Sequence, residues 1–260
     1  MKTFKDKVVL VTGGNGGIGM EVARLFAQEN AVVYLLGRNT KTLQETREKL
    51  KGVGGRMEIV AADVSDTQAC RQAVEYVVER EEKLDILVNS AGMYAEETIG
   101  ETSEALWDKL MDVNLKGTYF MCKYAIPYLQ KTKGSIVNVA STSGVIGFEG
   151  NSLYCASKGG MIMLTKALAI ECAPAGIRVN VVSPDMVKTE MLDIGFERSG
   201  MQDRAAYNAL CMRKYPQREE DRRFVLPEEV AQCVVFFASD NVKAITGANL
   251  VIDCGLTAGV

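Results

Sequence analysis

The chain of 260 residues predicts an α/β fold, a doubly wound and mostly parallel sheet of seven strands with helices on both faces. Three observations predict it. Short apolar runs alternate with helical patterns along the whole chain, the order that builds parallel sheets from β-α-β units. The runs are apolar almost without interruption, as strands covered on both faces must be. Glycines crowd the junction between the first run and the first helix. An apolar share of 47% can bury one large core, and a single domain over residues 1–260 is expected, with no linker, repeat or low-complexity tract to divide it.

Residues 7–12 form the first apolar run and end at glycines, which reads as a buried strand. A helix over 19–30 follows, because Val22, Ala23, Leu25 and Phe26 fall on one side. Residues 31–36 are the second strand, and a polar helix continues to about Leu50. The third strand covers 56–62 and the next helix about 66–82. A fourth strand at 84–89 leads into a long helical stretch at about 102–130, then a fifth strand at 134–140. The helix from 154 to about 173 precedes a sixth strand at 177–183. Pro227 opens a helix over 228–239, where its missing N–H is harmless, and 250–253 is the seventh strand. The least regular stretch lies between about Lys188 and Leu226.

Composition excludes several classes of function. The net charge of −3 lacks the basic excess of a nucleic-acid binder. The longest apolar runs fall short of a membrane span. Residues 1–7 lead straight into a strand and do not resemble a secretory leader, so a cytoplasmic protein is expected. Seven scattered cysteines without a Cys-x-x-Cys pair read as free thiols in a reducing compartment. The chain has no histidine, which excludes a Ser-His-Asp triad and argues against a zinc site of the histidine-containing kind. Proton chemistry must therefore use Tyr, Lys, Asp, Glu or Cys.

Tyr154 and Lys158 supply a candidate. Four residues apart on a helix, they share one face, and Ser141 stands thirteen residues upstream of the tyrosine. A free phenol has a pKa near ~10, and a neighbouring ammonium lowers it. Reaching neutrality takes about 3 units, or roughly 4 kcal/mol. A tyrosine so tuned gives or takes a hydroxyl proton, and Ser141 can hold the same oxygen.

A second motif points to a dinucleotide. Thr12, Gly13, Gly14, Asn15, Gly16, Gly17, Ile18 and Gly19 join the first strand to the first helix. Glycines permit the tight turn and let a pyrophosphate reach the backbone, and the helix N-terminus offers amides and a favourable dipole. At the end of the second strand, where an acidic residue would hold the ribose of NAD, stands Gly37 followed by Arg38. A guanidinium pairs with a 2′-phosphate, so NADP(H) is the expected cofactor, with NAD(H) as the alternative.

In this order the motifs resemble those of the short-chain dehydrogenase/reductase family over nearly the whole chain: the turn from Thr12 to Gly19, Asp63-Val64, Asn89-Ser90-Ala91-Gly92, Asn114, Ser141, Tyr154 with Lys158, and Ser183-Pro184 leading to Thr189. The resemblance implies a Rossmann-like sheet and roles for these positions. Tyr154 would be the general acid in reduction and the base in oxidation, with Ser141 orienting the substrate oxygen. Lys158 would bind the nicotinamide ribose and lower the Tyr154 pKa. Asn114 would hold a helix carbonyl and a water in a proton relay. Gly13, Asn15, Gly17, Ile18 and Gly19 would cradle the cofactor. Asp63 would bond the adenine beside Val64, and Asn89, Ala91 and Gly92 would pass near the ribose and nicotinamide. Pro184, the Val187 backbone and Thr189 would hold the carboxamide side.

Four positions depart from the family's pattern: Ser90, Gly16, Asp185 in place of glycine, and Cys254. By the resemblance the substrate pocket is offered Met93, Tyr94, Val145, Ile146, Phe148, Met186, Met191, Leu192, Ile194 and Phe196. That apolar list predicts a hydrophobic secondary alcohol or ketone, hydroxysteroid-like, under a lid at about 188–226. A 3-oxoacyl-thioester reductase and an NAD-dependent alcohol dehydrogenase are the alternatives within the class, and a non-catalytic nucleotide-binding regulator the alternative outside it. By the resemblance, the apolar residues on the helices around 107–130 and 154–173 would build a dimer face and the C-terminal segment a second contact, so a homotetramer is expected.

Overall fold

The computed structural model describes residues 4–259, so the first three residues of the leading segment 1–7 lie outside the described residues. Seven strands form one parallel sheet in the order β3-β2-β1-β4-β5-β6-β7. They are β1 (Val8–Thr12), β2 (Val32–Gly37), β3 (Arg56–Ala61), β4 (Ile86–Asn89), β5 (Ser135–Val139), β6 (Arg178–Pro184) and β7 (Asn249–Ile252). Each predicted strand is present, shifted by at most two residues at an end. Along β1 the pleat sends Val9 and Val11 to one face and Val8 and Leu10 to the other, and both sets are buried. This is why the strand reads as unbroken apolar sequence.

Two helical layers make that burial complete. On one face α1 (Gly17–Gln28), α2 (Thr40–Lys49) and α9 (Pro227–Ala238) pack Val22, Phe26, Leu43, Val230, Val234 and Phe237 against the sheet. On the other, α3 (Thr67–Glu81), α5 (Gly117–Thr132) and α6 (Ser152–Cys172) contribute Val74, Val77, Met121, Leu129 and Leu168. Asn39 and Asp66 cap α2 and α3 by accepting backbone amides. Arg178 donates to the carbonyls of Ala238 and Ser239, closing the end of α9. The seven cysteines are all free thiols.

Two elements differ from the sequence expectation. The stretch predicted as one helix over 102–130 is α4 (Glu104–Met111), a π-turn (Asp112–Lys116) and α5. The π-turn widens the helix by one residue per turn and sets Asn114 inward, and no periodicity signal marks so local a change. The irregular stretch contains α7 (Glu190–Ser199) and α8 (Arg204–Met212). Both are short, and Gly195 and Gly200 blur the helical pattern. Among the described residues no helix is long and apolar enough to cross a membrane.

Candidate active site

Strand order reverses between β1 and β4, whose ends pair Thr12 with Asn89. The crevice beyond the carboxyl ends of such a pair is where an open parallel sheet takes its ligand. Thr12 Oγ1 accepts from the amides of Ser90 and Ala91, both at 3.1 Å, and so splices the two exit loops together. Gly13 has φ +65°, and a Cβ there would lie 2.9 Å from the Ala91 backbone. Only glycine meets both demands. A Cβ on Gly17 would strike Thr189 Cγ2 at 2.5 Å, which brings the loop after β6 against the glycine turn. Helix α1 starts with no side-chain cap, leaving its first amides open. Bare backbone, open amides and a helix dipole fit the pyrophosphate of a dinucleotide.

At the end of β2 the Arg38 side chain is 70% exposed, with Nη1 4.0 Å from Asp63 Oδ2. Asp63 Oδ1 accepts from the Ser65 amide and hydroxyl, which holds its carboxylate at the mouth of the crevice. Val64 is buried, and its carbonyl lies so near Gly117 that a Cβ there would approach to 2.7 Å. The Asn89 side chain faces away from the cofactor crevice. It is buried and donates to Asn138 Oδ1 at 2.9 Å, and Asn138 donates in turn to Thr165 Oγ1. This ladder ties β4, β5 and α6 together; only the Asn89 backbone adjoins the crevice.

Helix α6 brings Tyr154, Ser157, Lys158 and Met161 to its buried face, as their spacing requires. Lys158 Nζ donates to Val139 O at 3.0 Å and lies 5.7 Å from the centre of the Tyr154 ring. One of its three N–H groups is thereby used and two are left for a ligand. Gly92 lies beside it, where an added Cβ would come 3.5 Å from Nζ. Asn114 donates to Met93 O at 3.0 Å and Ser157 Oγ at 3.1 Å and accepts from the Met93 amide at 2.8 Å. Its side chain thus locks the exit loop of β4 onto α6, while its own carbonyl accepts from Thr118 Oγ1.

Electrostatics correct one expectation. Burial pushes the Tyr154 phenol up to about 12, with a hydrogen bond to Ser141 pulling the other way. Burial pushes the Lys158 ammonium down to about 8. Both charged forms are disfavoured by the same lack of water, so the predicted depression of the tyrosine is absent in the protein alone.

The apolar substrate candidates divide. Val145, Met191 and Ile194 are exposed, and Phe148 is half-buried under Lys214, whose Nζ is 4.5 Å from the ring centre. Met93 packs with Leu110, Leu153 and Tyr154. Met186, Leu192 and Phe196 instead close a small core with Tyr207 and Phe224, beneath α7 and α8. Spacing could not separate these groups, because both are apolar. Tyr94, expected as pocket lining, lies beside Tyr154, and sequence reasoning missed its polar partner Glu96. The Tyr94 ring meets the Tyr154 ring edge-on at 5.1 Å, and its hydroxyl donates to Glu96 Oε2 at 2.8 Å.

The crevice and its phenol define a nicotinamide-dependent oxidoreductase acting on CH–OH groups. Known proteins of the same build narrow the class. The profile of the family described as enoyl-(acyl carrier protein) reductase matches residues 13–257. A meso-2,3-butanediol dehydrogenase of Serratia marcescens is 37% identical over 255 residues, covering 98% of this chain and 96% of the relative. A 3-oxoacyl-[acyl-carrier-protein] reductase of Thermotoga maritima is 37% identical over 254 residues, covering 97% and 98%. The crystal structure of a short-chain type dehydrogenase/reductase from Mycobacterium marinum superimposes with a TM-score of 0.89 at 30% identity, covering 98% and 97%. The chain belongs to the short-chain dehydrogenase/reductase family.

Proposed function

We propose that this protein is a single catalytic domain, cytoplasmic, that interconverts a secondary alcohol and a ketone with NADP(H) and prefers substrates with an apolar body. Bound nicotinamide supplies or accepts the hydride. Tyr154 donates its hydroxyl proton to the carbonyl oxygen in reduction and recovers it in oxidation, and Ser141 Oγ holds that oxygen. The two free N–H groups of Lys158 take the ribose hydroxyls. The segment of about 188–226 closes over the substrate as a lid, with Val145, Phe148 and Met191 beside the apolar body.

Arg38 carries the cofactor assignment. Its guanidinium is open to solvent at the end of β2. An acidic side chain cannot replace Gly37 without displacing Asn15, because a Cβ there would fall 2.6 Å from Asn15 Oδ1. Nicotinamide fluorescence titrations are expected to show tighter binding of NADPH than NADH. Arg38→Ala is expected to weaken NADPH about 10- to 100-fold, the range of a charge-assisted pair, and to leave NADH within about twofold. Tighter NADH binding by the unaltered protein would refute the assignment.

Turnover of 1-decalone in preference to acetoin is expected and would support the apolar reading. A second reading rests on the Tyr94–Glu96 pair beside Tyr154, which suits a substrate with a second hydroxyl; preference for acetoin would favour it.

We also infer a homotetramer. Trp107, Tyr119, Met163 and Ile170 are large apolar side chains exposed on α4, α5 and α6. Such a set on neighbouring helices marks a contact surface. Light scattering at micromolar concentration is expected to give four times the chain mass, and a monomeric mass would contradict the assembly.

A further inference from the structure

We propose that Asp185 is a positioning residue that latches the lid to the loop carrying Ser141, and so sets how tightly substrate is held. The inference rests on the lid and catalytic reading above. Asp185 stands directly after β6, at a position where the pattern this chain resembles carries glycine, and its side chain is only 5% exposed. A carboxylate so far from water must be matched by donors. Three surround it. Thr142, next to Ser141, donates its hydroxyl at 2.7 Å. Tyr215, almost wholly buried, donates its phenol at 2.6 Å. Lys214 lies at 3.3 Å and at the same time covers the Phe148 ring.

The donors come from two pieces of chain. Thr142 and Phe148 belong to the loop after β5, while Lys214 and Tyr215 follow α8 in the lid. The lid return is further docked on the body, since Gln217 donates to Cys254 O at 2.7 Å. Its two ends are stitched as well: Lys188 donates to Val225 O and Val225 donates to Met186 O. Asp185 is therefore the point at which lid closure reaches the serine loop. Glycine in its place would supply no acceptor to either side.

The test uses the full chain with Asp185→Asn, Tyr215→Phe and the double variant. Asparagine keeps the shape but replaces one of the two accepting oxygens with an amide nitrogen that only donates, and phenylalanine cuts the same link from the lid side. For 1-decalone with saturating NADPH, each single variant is expected to raise KM about three- to tenfold with kcat within about twofold. NADPH affinity by nicotinamide fluorescence is expected to stay unchanged. Trypsin should cleave the lid, at Arg204, Arg213 or Arg218, several-fold faster in both. The double variant should be no worse than the worse single one, because both break one link. Additive KM effects, or a lowered melting temperature with unchanged KM and lid cleavage, would overturn the latch. An equal loss of NADPH affinity would overturn it too, making Asp185 a cofactor neighbour. If no variant and no unaltered protein turns over 1-decalone, the substrate reading fails, while faster lid cleavage in both single variants still upholds the latch and unchanged cleavage sinks it.

Discussion

Tyr154→Phe is expected to lower turnover by about 10³-fold, within the range for losing a positioned proton donor, while NADPH binding stays within about twofold. The phenol hydroxyl faces Ser141, and the ring is packed against Tyr94 and Leu153, so phenylalanine removes one oxygen and leaves the packing in place. Steady-state kinetics and a fluorescence titration together check it; unchanged turnover would refute the role. The pH profile of the unaltered protein follows from the same burial. With the phenol pushed up to about 12, it carries its proton throughout the neutral range. Ketone reduction therefore has its donor at every pH from about 6 to 8 and should be flat there. Alcohol oxidation needs the phenolate, whose fraction grows about tenfold per pH unit below the pKa, so kcat/KM for oxidation should rise with pH. The rise should slacken above about 8, where the Lys158 ammonium, which favours the phenolate, is lost.

Lys158→Met is expected to abolish measurable turnover and yet stabilise the fold. The ammonium is buried, and burial lowers its pKa from 10.5 to about 8. A shift of that size corresponds to about 3 kcal/mol against the folded state wherever the group is charged in both states. The sign is fixed by proton uptake. Between about 8 and 10.5 the unfolded chain holds the proton and the folded chain has released it, so the stability of the unaltered protein rises with pH through that window. Methionine matches the unbranched stem and removes the charge, at the loss of one hydrogen bond to Val139 O, worth about 1 kcal/mol. A net gain of about 2 kcal/mol at pH 7 should appear in urea melts. The gain should shrink as pH approaches 10.5. A less stable variant at pH 7 would show that the ammonium is not held at a cost to the fold.

Catalytic and cofactor positions divide in the same way between what spacing reveals and what packing decides. Tyr154 and Lys158 are legible because a helix places residues four apart on one face whatever surrounds it. The glycine turn is legible because Gly13 adopts a backbone conformation that side chains oppose, and such positions leave their mark in residue choice.

Chain order and composition alone determined the seven parallel strands, the helices that cover them, the dinucleotide turn and the Tyr–Lys pair. Each depends on a local period or a local conformational demand, and those are written in consecutive residues. Tertiary structure alone decided the rest. It placed the π-turn at Asn114, turned Asn89 into the sheet and drove the pKa values of Tyr154 and Lys158 in opposite directions. It also brought Lys214 and Tyr215 onto Asp185, about 30 residues back along the chain. Burial and hydrogen-bond partnership are properties of the space between elements, and elements far apart in sequence share that space only after the sheet has formed.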